Sequence, residues 1–272
     1  MKGWKASWWK YALLLYGGAC AAFYSFQHLF YFQPQALDAQ HALTFPMRIR
    51  FTEHKIPFDA STQIDVVKFL PDSGVQSRGV VLFFHGNRYN VEHYSSYAPY
   101  FTSRGYECWM PDYPGYGRST GEASVPLLKE LALQLHKMAM KRYPADSIVL
   151  YGKSLGTGVA AWLATRRSCR LLMLETPYSS LADLSSEYLP MLPVGLLMHD
   201  DLPTLDWLQQ VQAPIIAWHG TADELIPLSK AARLSSAMKS TDAFYVLPGG
   251  RHNGLAEFSV YQRSLDSALL TR

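Results

Sequence analysis

The sequence predicts an α/β fold: a mostly parallel, doubly wound sheet with an antiparallel hairpin at its start, a small cap late in the chain and an apolar helix in front. Three observations carry that expectation. Continuous apolar runs recur along the chain, stretches of helical periodicity fall between them, and Gly- or Pro-containing turns follow the runs. Apolar residues make up 49% and charged residues 17% of the 272, enough for a large core and unlike a disordered or fibrous chain. The formal charge of +3, from 25 basic and 22 acidic residues without long runs, leaves no footprint for nucleic acid.

The elements are read in chain order. Tyr11 to Phe32 carries no formal charge, and at ~1.5 Å per residue a helix of about 22 residues spans the ~30 Å hydrocarbon layer. Trp4, Trp8 and Trp9 precede it, Tyr31 and Phe32 close it, and Pro34 is expected to end it. Lys2, Lys5 and Lys10 precede the span and Asp38 is the first charge after it, which orients the N-terminus to the cytoplasm and the main domain outside. The alternative is a cleaved signal peptide with a small-residue site at Ala19-Cys20-Ala21, giving a secreted domain. The chain thus divides into 1–33, a transmembrane anchor or signal segment, and 34–272, the main domain.

Residues 47–54 and 62–70 alternate in polarity about a Pro57–Ser61 connection and read as a hairpin. Buried strands are expected at 79–86, 106–111, 147–151, 170–174, 214–218 and 243–247. Three-and-four spacing from Val125 to Ala139 marks a helix over 124–143 with Ser124 as its N-cap. The stretch 177–212, broken by Pro190, Pro193 and Pro203, exceeds an ordinary connection of ~4–6 residues and reads as a small cap. Cys20, Cys108 and Cys169 are too scattered for a disulfide framework or zinc site and read as buried thiols. Ligands of such a sheet bind beyond the carboxyl ends of its strands, so the chemistry belongs in the loops that follow them.

Gly152-Lys153-Ser154-Leu155-Gly156 follows one strand and opens a helix, the context of a nucleophile elbow. A serine hydroxyl needs a base, normally a histidine held by a carboxylate, and both should come later in the chain. His252 follows the last strand in LPGGRHNG, and Asp223 follows the preceding one in WHGTADELIP. Backbone N–H groups of Asn87, in the HGN loop after the first buried strand, and of Leu155, after the serine, supply an oxyanion hole.

Other readings compete for these residues. A P-loop would need glycine where Ser147 stands. Gly156, Gly158 and Ala161 fit a dinucleotide fingerprint with Glu175 as ribose acid, yet that leaves His85, Asp223 and His252 without roles. A non-catalytic member of the fold, with the glycines there for packing, is a third. Glu175 rivals Asp223 as the acid; Asp112, in the DYPGYGRSTG turn, reads as a turn-stabilising carboxylate. His219 reads as a buried hydrogen-bonding residue, and His93, His136 and His199 lack partners at ligand spacing, so no metal and no cofactor is implied.

HGN, DYPGYGRS, GKSLG, HGTADELIP and GGRHN together resemble the alpha/beta-hydrolase superfamily, including its serine aminopeptidase-like domains. LFYFQP at the end of the apolar segment and SSLADLSSEYLP in the cap look closer to its single-pass, membrane-anchored branch, which includes protein depalmitoylase-like members. The resemblance implies an alpha/beta-hydrolase fold with Ser154 as nucleophile, Asp223 as acid, His252 as base, and Asn87 and Leu155 as oxyanion donors. The expected activity is cleavage of esters or thioesters of apolar acyl groups carried on small molecules, lipids or proteins. A peptidase or acyltransferase with the same triad is the alternative, and a catalytically silent, membrane-tethered binding protein is the alternative of another class.

Overall fold

The computed structural model of the chain describes residues 8–59 and 61–270. The expected contributions of Lys2, Trp4 and Lys5 lie outside these residues. Eight strands form one sheet: β1 (Arg50–Pro57), β2 (Gln63–Leu70), β3 (Gly79–Phe84), β4 (Tyr106–Pro111), β5 (Ile148–Lys153), β6 (Leu171–Glu175), β7 (Ile215–Gly220) and β8 (Ala243–Leu247). Their spatial order is β8-β7-β6-β5-β3-β4-β2-β1, and β2 alone runs against its neighbours. The expected hairpin is β1–β2, shifted at its first strand so that Arg50 pairs with Leu70.

The strand pleat sorts the core into two layers. Val80, Leu82 and Phe84 of β3 face one side of the sheet, against α2 (Val125–Ala139) and α3 (Leu155–Arg166). Val81 and Phe83 face the other, with Phe101 and the C-terminal helix α5 (Ser259–Leu270). All six residues of β3 are buried, as a strand covered on both faces requires. Ser124 caps α2 as expected, accepting from Leu127 N–H at 3.3 Å, although the helix stops at Ala139, short of 143. The cap holds α4 (Leu181–Tyr188) and two shorter helical turns, Val194–Leu197 and Thr204–Leu208. Of the three free cysteines only Cys108 is buried; Cys20 and Cys169 are partly exposed, correcting the reading of all three as buried thiols.

The N-terminal segment departs most from expectation. Helix α1 covers Trp8–Phe26 and ends before Gln27; a single turn, His28–Tyr31, follows, and Pro34 lies in a two-residue strand paired with Tyr89. No helix among the described residues is long and apolar enough to cross a membrane. The expected unbroken 11–32 helix is therefore corrected. The physical reason is Gln27, wholly buried: its amide donates to Leu197 O at 3.2 Å and accepts from His199 N–H at 3.2 Å. Those bonds fasten the segment to the cap, and Phe23, Tyr31 and Phe32 are buried with it. Packed contacts thus cross the division drawn at residue 33.

Candidate active site

Ser154 stands between β5 and α3, with its backbone at φ 51° and ψ −120°, a conformation costly for a residue with a Cβ. Its glycine neighbours are dictated by space. A Cβ on Gly152 would lie 2.4 Å from Gly156 O, and one on Gly156 would lie 2.0 Å from Phe84 O. The resulting turn brings Ser154 to the wall of a cavity beyond the carboxyl end of the sheet. Ser154 N–H donates to Glu175 O at 2.9 Å, tying the turn to β6.

His252 and Asp223 meet behind it. Nδ1 of His252 lies 2.9 Å and 3.1 Å from the two Asp223 carboxylate oxygens, in the loops after β8 and β7. Asp223 also accepts from Leu225 N–H at 2.9 Å and Ile226 N–H at 2.8 Å. Burial alone would raise this carboxyl, but the bond to His252, its charge and the two backbone donors outweigh it and hold the group below the usual carboxylate range. A carboxylate at Nδ1 favours the proton there and leaves Nε2 as the basic nitrogen. Ser154 and His252 are not hydrogen-bonded to each other, a contact that in such sites tightens when substrate binds. His219, fully buried, lies 2.9 Å through Nε2 from Ile226 O and so braces the loop carrying Asp223.

Glu175, the rival acid, is engaged elsewhere. Its carboxylate takes a 2.8 Å bond from Lys153 Nζ, one from Tyr97 at 2.8 Å, one from Tyr261 at 3.1 Å and one from Tyr151. Lys153 and Glu175 are register partners on β5 and β6, and both are buried. Burial would raise the Glu175 carboxyl, yet the Lys153 charge and these donors pull it below its ordinary value. Lys153 Nζ also donates to His252 O at 3.0 Å, so the pair is linked to His252 through its backbone. Sequence reasoning missed Lys153; the available signal was a lysine inside the apolar end of a central strand, where a cation must be paired.

Asn87 and Leu155 line the same cavity as Ser154. As first residue of α3, Leu155 has an N–H with no intrahelical acceptor. The Asn87 carbonyl is held from the other side by Gln33 N–H at 3.0 Å and Tyr116 OH at 2.8 Å. His85 stacks on Tyr113 with ring centroids 3.8 Å apart, and burial pushes its imidazole down to about 3, so it is neutral. Asp112 accepts from Val91 N–H at 2.7 Å, and burial pushes its carboxyl up to about 8. Neither contacts His252. Of the remaining histidines, His136 faces Ser168 O at 3.1 Å, His93 stacks on Tyr89, and His199 Nδ1 lies 2.7 Å from the Gln27 amide.

The cavity has a volume of about 350 Å³. Leu181, Leu184 and Leu189 of the cap line it, with Leu225 and Ile226 from the Asp223 loop. Phe23, Phe30 and Tyr31 of the N-terminal segment complete it, residues that a reading as membrane span had removed from consideration. The cap's other apolar groups divide: Val194 is in the core, whereas Met191 and Leu196 are more than 80% exposed.

Residues 75–194 match the sequence profile of a family described as serine aminopeptidase, S33. An uncharacterised protein of Mycobacterium tuberculosis is 29% identical over 68% of this chain, and the match takes in 66% of that relative's own length. Human alpha/beta hydrolase domain-containing protein 17C is 28% identical over 70% of the chain and 57% of its own. The chain thus spans less than two thirds of these relatives. Among solved structures, an esterase of Pyrococcus furiosus superposes with a TM-score of 0.66 at 17% identity, covering 88% of this chain and 97% of that one. The ferulic-acid-bound Est1E of Butyrivibrio proteoclasticus gives 0.65 at 16% identity, over 80% and 98%. At such identities these structures speak for the fold alone; fold and sequence likeness together support the alpha/beta-hydrolase superfamily as the one this chain is similar to.

Proposed function

We propose that the chain is a serine hydrolase that cleaves carboxylic esters or thioesters of apolar acyl groups through an acyl-enzyme. The observation that carries this reading is Ser154 on a strained turn in the wall of an apolar cavity, with the hydrogen-bonded Asp223–His252 pair in the loops alongside. In the proposed reaction His252 Nε2 takes the Ser154 proton as Oγ attacks the acyl carbon. The Asn87 and Leu155 N–H groups receive the developing oxyanion, each such donor being worth about 3 kcal/mol. Collapse breaks the bond to the alcohol or thiol, which leaves with the proton from His252; water, deprotonated by the same base, then releases the acid.

A peptidase is the second reading. It is favoured by the serine aminopeptidase match and by Glu224 in the cavity lining, a carboxylate able to face a free α-amino group. The two separate by comparing p-nitrophenyl esters with aminoacyl p-nitroanilides: the proposal expects ester turnover, absent in Ser154→Ala, with anilide turnover far lower. Faster anilide than ester turnover overturns it in favour of the peptidase.

Membrane contact belongs to the same proposal. Trp8, Leu14 and Leu15 of α1 are more than 70% exposed, and Met191 and Leu196 extend an apolar surface on the cap. An apolar face of this kind embeds in a lipid interface without crossing it. A segment that lies in the interface without crossing is not oriented by its flanking lysines, so the side of the membrane on which the domain sits is read by protease protection in sealed vesicles.

A further inference from the structure

The N-terminal segment forms part of the cavity that contains Ser154. Phe23, 4% exposed, and Tyr31, 9% exposed, stand deep in its wall, and Phe30, 56% exposed, stands at its mouth. Leu181, Leu184 and Leu189 line the same cavity from the cap. Two latches hold the segment in place, one of them fully buried. Tyr31 OH lies 2.8 Å from Ser185 Oγ, and the Gln27 amide bonds both Leu197 O and the backbone N–H of His199. Buried polar groups with such partners resist separation, because opening leaves them unsatisfied or costs their shared geometry. The wall is therefore a fixed surface against which a substrate is measured.

Its size sets the measure. At about 30 Å³ per water-sized group, a cavity of about 350 Å³ takes about twelve heavy atoms. Its lining is mostly aliphatic and aromatic, the exceptions being Asn87, Ser154, Glu224 and a Ser185 hydroxyl already engaged by Tyr31, which suits an unbranched hydrocarbon tail better than a sugar or peptide. We propose that Phe23, Phe30 and Tyr31 are specificity-determining residues that close an acyl site for chains of about eight to twelve carbons, seated between the N-terminal segment and α4. This rests on the serine-hydrolase reading of Ser154. It goes beyond that reading by giving the segment a role in substrate choice that no attachment role would require.

The test uses the full-length protein in detergent and p-nitrophenyl esters from two to sixteen carbons. Wild type is expected to peak at eight to twelve carbons. Phe23→Ala, which removes a phenyl ring from the wall, should raise kcat/KM for the sixteen-carbon ester relative to the eight-carbon ester at least about tenfold, the low end of what a single methylene is worth in a pocket. Phe30→Trp, at the half-open mouth where folding is not at stake, should lower the twelve-carbon ester relative to the four-carbon ester by a similar factor. Labelling by a fluorophosphonate, read alongside, separates the two levels. Labelled variants with the wild-type chain-length profile overturn the acyl wall and leave the hydrolase intact, whereas an unlabelled wild type overturns the hydrolase reading itself.

Discussion

Lys153 and Glu175 sit beside the proposed nucleophile: Ser154 follows Lys153 in the chain, and the lysine ammonium bonds both Glu175 and the carbonyl of His252. Glu175→Gln leaves that ammonium buried without a counter-charge, and breaking one side of such a pair costs about 3–5 kcal/mol. The loss should appear in the urea midpoint of unfolding, with only a moderate fall in kcat. Asp223→Asn should do the reverse, lowering kcat about 10⁴-fold through the wrong His252 tautomer while leaving the fold nearly unchanged. If Glu175→Gln costs more kcat than Asp223→Asn, the acid has been assigned to the wrong carboxylate. Sequence brought both carboxylates to strand ends, and the family resemblance favoured Asp223. What separates them is three-dimensional: three tyrosines and a lysine converge on Glu175 from β5, α5 and the helical region around residue 97, and no spacing along the chain announces that convergence.

Among the elements, the sheet was legible and the N-terminal segment was not. Apolar runs such as Val80–Phe84 have one physical explanation, a strand covered on both faces, and β3 to β8 lie where those runs lie. An apolar helix has two explanations, since lipid and a protein core reward the same side chains. The discriminating residue was Gln27, an amide in an otherwise apolar stretch. With Phe23 and Tyr31 it makes an i, i+4, i+8 face, and that face is buried against the cap. Deleting residues 1–32 therefore removes structure as well as any attachment. Burial of Phe23, Tyr31 and Phe32 contributes at most about 1.5–3 kcal/mol each, so the truncated chain should lose roughly 5 kcal/mol, read from its urea midpoint. An unchanged midpoint would show that the segment only rests on the domain.

For the whole molecule, two buried groups flanking the oxyanion loop set the pH range of stability. His85 is held neutral, with its pKa pushed down to about 3, whereas the unfolded chain protonates near 6.5; stability is therefore lost as pH falls from about 6.5 toward 3. Asp112 is pushed up to about 8, so the unfolded chain ionises it well before the folded one does, and stability falls as pH rises from about 4 toward 8. Between about 4 and 6.5 the two oppose each other. Above 6.5 only Asp112 of the pair acts, and the other histidines lowered by burial, His54, His93, His136 and His219, add to the acid side. Melting temperature should therefore peak near pH 6–7, and Asp112→Asn should flatten the alkaline limb; a maximum at pH 4 or 9 would contradict these assignments. Neither effect was readable in sequence, which located both residues after strands without revealing their depth. The central claim, that Ser154 is an activated nucleophile, is tested most directly by reaction of the purified protein with a fluorophosphonate and identification of the modified residue. The account predicts stoichiometric labelling on Ser154, absent in Ser154→Ala and strongly slowed in His252→Ala. No labelling of the folded wild-type protein, or labelling on another residue, would contradict it.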